Sequence, residues 1–145
     1  MTESTSAGAS GCPECGAPIV DGKSCRDQLA AILGWESIDA ELFSLHFYTV
    51  AAFNLQHPAQ FTEEALHELR AVFVQALDGD RPIEALGRQL GATFQGSQHV
   101  LKREDERRPV AREWSVTAAD VFADGRPEGA PYRVRRWASV VRTEM

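Results

Sequence analysis

A chain of 145 residues, 43% of them apolar and 25% charged, amounts to one domain with enough apolar surface for a core. Twenty-one acidic against fifteen basic side chains leave a formal charge of −6, which argues against non-specific binding to DNA, RNA or anionic lipid. No run of about 18 apolar residues is present to span a membrane, and three cysteines are too few for a disulfide scaffold.

Residues 1–11 are small and polar and are expected to be disordered; residues 12–145 are expected to form a single domain. The opening MTESTSAGAS has neither a basic start nor an apolar stretch, so the expected location is cytoplasmic. A turn-rich stretch from Cys12 to Cys25 comes first, then a short helix over 26–35 carrying Leu29, Ile32 and Leu33. After a break near Glu36–Ser37 a longer helix is predicted from about Ile38 to His57, stopped by Pro58, with Leu42, Leu45, Thr49, Val50 and Phe53 as its apolar stripe. Thr62 caps a third helix, with Phe61 and Leu66 placed as a hydrophobic staple and Gly79 as its stop. Asp80 caps a fourth, which carries Ile83, Leu86, Leu90 and Phe94, with Gly87 and Gly91 permitting a close helix approach.

Residues 95–112 are the most polar stretch and read as a connector; residues 113–145 are a C-terminal helical part. There Thr117 caps one helical turn, and a last helix from about Pro131 to Arg142 buries Val134, Trp137, Val140 and Val141 while exposing Arg133, Arg135, Arg136 and Arg142. The charge divides as −8 over residues 1–98 and +2 over 99–145, so the Arg-rich helix is a solvated face or a surface for an acidic partner. The expected fold is all-α: a bundle of four to five helices with an N-terminal zinc knuckle packed on a helical hairpin.

The zinc assignment rests on the cysteines. Cys12-Pro-Glu-Cys15-Gly16 lets two thiolates converge while backbone amides point at the sulfurs, and Cys25 follows after a turn at Asp21-Gly22. A thioredoxin-type redox pair needs a flanking strand and helix, and neither is predicted around Cys12. Zinc prefers four ligands and only three sulfurs exist; where a two-knuckle ribbon would have its fourth cysteine, this chain has Gln28. The histidines are His46, His57, His67 and His99.

If 26–35 and 38–57 form an antiparallel hairpin about residues 36–37, Cys25 lies level with residue 48. His46 is then within a turn of it, whereas His57 overshoots by ~12–14 Å. The expected ligands are therefore Cys12, Cys15, Cys25 and His46, with Asp27 as the oxygen alternative. His57, with Gln56 beside it, reads either as a helix-end histidine satisfying the last carbonyls or as a pocket residue for ligand binding. His67 and His99 read as surface residues, and Trp35, Trp114 and Trp137 as packing anchors.

The CPECG knuckle, Cys25 and the segment His46-Phe-Tyr-Thr-Val-Ala-Ala-Phe-Asn-Leu-Gln-His-Pro58 resemble an uncharacterised bacterial protein family with a CPxCG knuckle and an HxxTVAxYxLQHP segment. Residues Trp114 to Val121 and Arg136-Trp-Ala138 resemble its closing pattern. Many members have a second histidine directly after the first, where this chain has Phe47. The resemblance implies a helical fold and the same ligand list, and no activity. No phosphate-binding loop, nucleophile elbow or HExxH motif is present. The functional expectation is a zinc-binding module for a protein or small-molecule partner; the alternatives are a metal-dependent enzyme with an open zinc position or a pocket at His57, and a zinc–thiolate redox switch.

Overall fold

The computed structural model describes residues 11–79, 85, 88 and 100–145. Six α-helices lie among them: α1 (Cys25–Trp35), α2 (Ala40–Ser44), α3 (His46–Leu55), α4 (Glu63–Asp78), α5 (Ala118–Phe122) and α6 (Ala130–Glu144). No strand occurs among the described residues, only isolated bridges such as Gly11 with Pro18 and Val20 with Lys23. The expected all-α architecture is what forms. Residues 1–10, most of the predicted fourth helix with Gly87 and Gly91, and His99 lie outside the described residues.

The helix ends follow the local chemistry. The Ser24 hydroxyl accepts from the Asp27 amide and the Asp27 carboxylate accepts from the Ser24 amide, closing a capping box on α1. The Thr62 hydroxyl accepts from the Ala65 amide at the start of α4, and Gly79 ends that helix at φ 78°, a left-handed stop that only glycine adopts without strain. Phe61 and Leu66 pack together in a small satellite cluster under α4, as a staple should. Thr117 and Asp120 close a second capping box on α5.

Helix α3 is the hub. Tyr48, Thr49, Ala51, Ala52, Phe53 and Leu55 are all buried, so the helix is covered on nearly every side, chiefly by α4 and α6. Ala51 and Ala52 let its neighbours approach closely, and the Tyr48 hydroxyl donates to the Ala76 carbonyl of α4. Trp137 and Val134 of α6 fill the core at no exposure, and Trp35 at the end of α1 stacks on Phe122 of α5 with ring centres 6.0 Å apart.

Two features differ from the sequence reading. The single helix expected over 38–57 is two: Leu45, at φ −101° and ψ 11°, breaks it between Ser44 and His46. Arg133 is not a solvated arginine of α6. Its guanidinium donates to the carbonyls of Val121, Arg126 and Glu128, clamping the loop that joins α5 to α6.

Candidate metal centre

The knuckle folds on its own backbone bonds. The Cys12 amide donates to the Ala17 carbonyl and the Gly16 amide to the Cys12 carbonyl, each at 2.9 Å, with Gly16 at φ 81°. That turn points further amides at sulfur: Glu14 and Cys15 donate to Cys12 Sγ and Ala17 donates to Cys15 Sγ, all at 3.4 Å. Such bonds stabilise thiolates over thiols. Gln28, buried one turn into α1, donates its amide to the carbonyls of Pro18 and Lys23 and so clasps the loop between the second and third cysteines.

Cys25 is the first residue of α1, and its sulfur lies 3.4 Å from His57 Nε2; Cys12 Sγ is 3.6 Å from the same nitrogen. The ligand atoms of Cys12, Cys15, Cys25 and His57 all lie within 4.8 Å of one another. A tetrahedral ion bound at ordinary zinc distances would need ~3.8 Å between sulfurs and ~3.6 Å between sulfur and nitrogen. The observed sulfur–nitrogen separations already match that edge.

His57 is presented by its own sequence. Pro58 disfavours helical backbone at the residue before it, so α3 stops and His57 turns to φ −129° and ψ 59°. The imidazole stacks on Phe53 at 4.1 Å, and Nδ1 donates to the Phe53 carbonyl at 2.6 Å. With Nδ1 committed as donor, Nε2 faces the sulfurs, the arrangement in which a backbone carbonyl fixes the tautomer of a metal-binding histidine. The Glu14 carboxylate accepts from the Ala59 amide at 2.8 Å, tying the knuckle to the turn that follows His57.

The metal-free charges are arranged around the same point. Hydrogen bonding from Cys15 lowers the Cys25 thiol to about 4 against the opposition of burial, with His57 adding to the effect. The same bond, together with burial, pushes the Cys15 thiol up. Burial disfavours a charged His57, but its bonds to the Cys25 sulfur and the Phe53 carbonyl prevail and raise it to about 9. Both shifts favour a charged imidazole beside a Cys25 thiolate.

Three of the four expected ligands are thus together, and the fourth group beside them is His57, not His46. His46 Nδ1 instead lies 2.9 Å from the Glu36 carboxylate, at the far end of α1. The hairpin arithmetic assumed one straight helix returning from the turn at 36–37. Because the chain breaks at Leu45, only α3, about 15 Å long, runs back along α1, about 16 Å long. Its two ends therefore match the two ends of α1: His46 meets Glu36, and His57 meets Cys25.

The other candidates resolve into structural roles. Asp27 closes the capping box of α1 and lies outside the cluster. Gln56 is buried, donating to the Val116 carbonyl at 2.8 Å and accepting from the Trp137 indole at 3.1 Å, so both of its polar ends are engaged within the core. His67 is exposed. The sequence signal for His57 lies in the apolar VAAF run, which marks a buried helix, and in the His-Pro pair that follows it and turns an imidazole inward.

The chain belongs to the family of unknown function DUF5946, whose sequence profile matches residues 10–145. Comparison with curated proteins and with solved structures finds no match.

Proposed function

We propose that the protein binds one zinc ion through Cys12, Cys15, Cys25 and His57, and that the ion staples the N-terminal knuckle to the helical core of a binding or accessory module. The observation that carries this reading is the convergence of four ligand atoms from three separate segments, with the imidazole already oriented by the Phe53 carbonyl. Three thiolates and an imidazole at tetrahedral spacing suit zinc better than hard oxygen-seeking cations. Four protein ligands fill a tetrahedral ion, and three thiolates donate enough charge to leave it a weak Lewis acid. The chemistry therefore favours a structural site over a catalytic one.

A staple is also what the knuckle lacks. Of residues 11–24 only Cys15 and Ala17 are buried, so little apolar packing holds this segment down. Zinc binding, worth ~10–16 kcal/mol in zinc-finger peptides, would replace that missing packing. The three cysteines are all free thiols, which fits a reducing compartment such as the cytoplasm. Among the described residues no helix is long and apolar enough to cross a membrane.

Elemental analysis of untagged protein is expected to find about one zinc per chain; less than about half would overturn the reading. Cobalt substitution is expected to give the absorption of a tetrahedral site with three sulfurs and one nitrogen. A five- or six-coordinate spectrum would favour the enzyme reading, in which water holds an open position.

A further inference from the structure

We infer that Cys12 is the reactive sulfur of this centre, the modification site that a small neutral hydroperoxide oxidises, and that its oxidation ejects the metal. The inference rests on the metal-binding reading above and adds to it a point of entry, a class of reactant and an order of events.

The entry is a cavity of about 380 Å³ that opens onto the cluster, walled by Cys12, Cys25, His57, Ile19, Arg26 and Pro109. Cys12 is half-buried, whereas Cys15 is 2% exposed and Cys25 7% exposed. Attack on a thiolate follows access as well as ionisation, so Cys12 meets a solute first. Cys15 does not border this cavity; it edges a separate groove beside Trp114, with its sulfur shielded and bonded by the Ala17 amide.

Three thiolates around a divalent ion with a neutral imidazole leave the centre with one net negative charge, which keeps the sulfurs nucleophilic. Arg26 stands at the cavity with its guanidinium 5.9 Å from the centre of the Phe53 ring and makes no ion pair among the described residues. A neutral, soft electrophile can pass this rim without displacing a salt bridge.

The chemistry then closes within the cluster. The Cys12 thiolate attacks the peroxide, the O–O bond breaks, sulfur is oxidised to the sulfenic acid and the leaving oxygen takes up a proton as water or alcohol. Cys25, which lines the same cavity and whose sulfur lies within 4.8 Å of that of Cys12, attacks the Cys12 sulfur; an S–S bond forms and hydroxide leaves as a second water after protonation. Two thiolates, one hydrogen peroxide and two protons become one disulfide and two waters. The ion loses two of its four ligands and departs, and the knuckle loses its staple.

The test uses the intact protein, its zinc content measured first. Titration with hydrogen peroxide is expected to release one zinc per peroxide and to leave a Cys12–Cys25 disulfide in the peptide map. In a parallel reaction, iodoacetamide is expected to modify Cys12 at least about tenfold faster than Cys15. Ile19→Trp narrows the cavity without touching a ligand and is expected to slow zinc release several-fold at unchanged zinc content. Protein that carries zinc but reacts first at Cys15 or Cys25, or whose release rate is indifferent to Ile19→Trp, overturns the inference and leaves the metal site standing. Protein that carries no zinc defeats the metal-binding reading, and this inference with it.

Discussion

Replacing His57 and His46 in parallel tests whether the centre is built as described. His57→Ala removes the only nitrogen among the four converging groups, so zinc should be lost or bound far more weakly. At a zinc concentration a hundredfold above the dissociation constant, binding to the folded state contributes about 2.7 kcal/mol of stability. For a domain of this size each kcal/mol moves the midpoint by about 2–4 °C, so His57→Ala should forfeit a metal-dependent rise of about 5–11 °C. His46→Ala breaks one ion pair with Glu36 whose histidine side is 53% exposed. With the Glu36 carboxylate only 8% exposed, losing its partner should cost about 1–2 kcal/mol, a zinc-independent shift of about 2–8 °C, and zinc content should stay at the wild-type level. Thermal unfolding with zinc and with a chelator, alongside elemental analysis of each variant, separates the cases. If His57→Ala keeps its full zinc and His46→Ala loses it, the register of α3 against α1 described above is wrong.

Other perturbations reach the supports of the site and of the fold. Gln56→Leu strands the Trp137 indole N–H and the Val116 carbonyl in the core, costing about 2–4 kcal/mol and lowering the midpoint by about 5–15 °C, while the folded fraction keeps its metal; loss of zinc at unchanged stability would instead place Gln56 in the metal centre. Zinc uptake should displace the proton that metal-free protein holds on His57 up to about 9 and the proton of the Cys15 thiol, which is pushed up, so affinity should rise with pH across the neutral range, about tenfold per unit for each proton displaced. Calorimetry in buffers of different ionisation enthalpy counts those protons, and a count below two contradicts displacement from both groups. Gly129→Ala puts a side chain at φ 82° and its Cβ 3.0 Å from Arg133 Nη1, so it should cost about 1–2 kcal/mol in chemical denaturation and loosen the α5–α6 loop; an unchanged denaturation midpoint would show that the clamp yields freely.

Local chemistry was legible wherever one short segment decides the outcome. The CPxCG turn, the capping residues Thr62 and Thr117, the Gly79 stop and the Val134, Trp137 and Val141 face of α6 each depend on neighbours within about a turn of chain, and all of them were legible in the sequence. Misreadings arose where distant groups compete. Arg133 looked like a surface arginine by periodicity, but three loop carbonyls at the α5–α6 turn needed a donor. The break at Leu45 carries no glycine or proline to announce it, and it moved the register of everything after it.

From the sequence alone came three candidate ligand sulfurs, a missing fourth group and an all-α frame to hold them, because thiolate spacing and helical periodicity are written in adjacent residues. Which histidine faces the sulfurs was decided by tertiary structure. A helix carries a side chain along its axis at about 1.5 Å per residue, so the answer depended on where the returning helix begins. That starting point was set by how Leu42, Leu45 and the buried run from Tyr48 to Leu55 pack into one core.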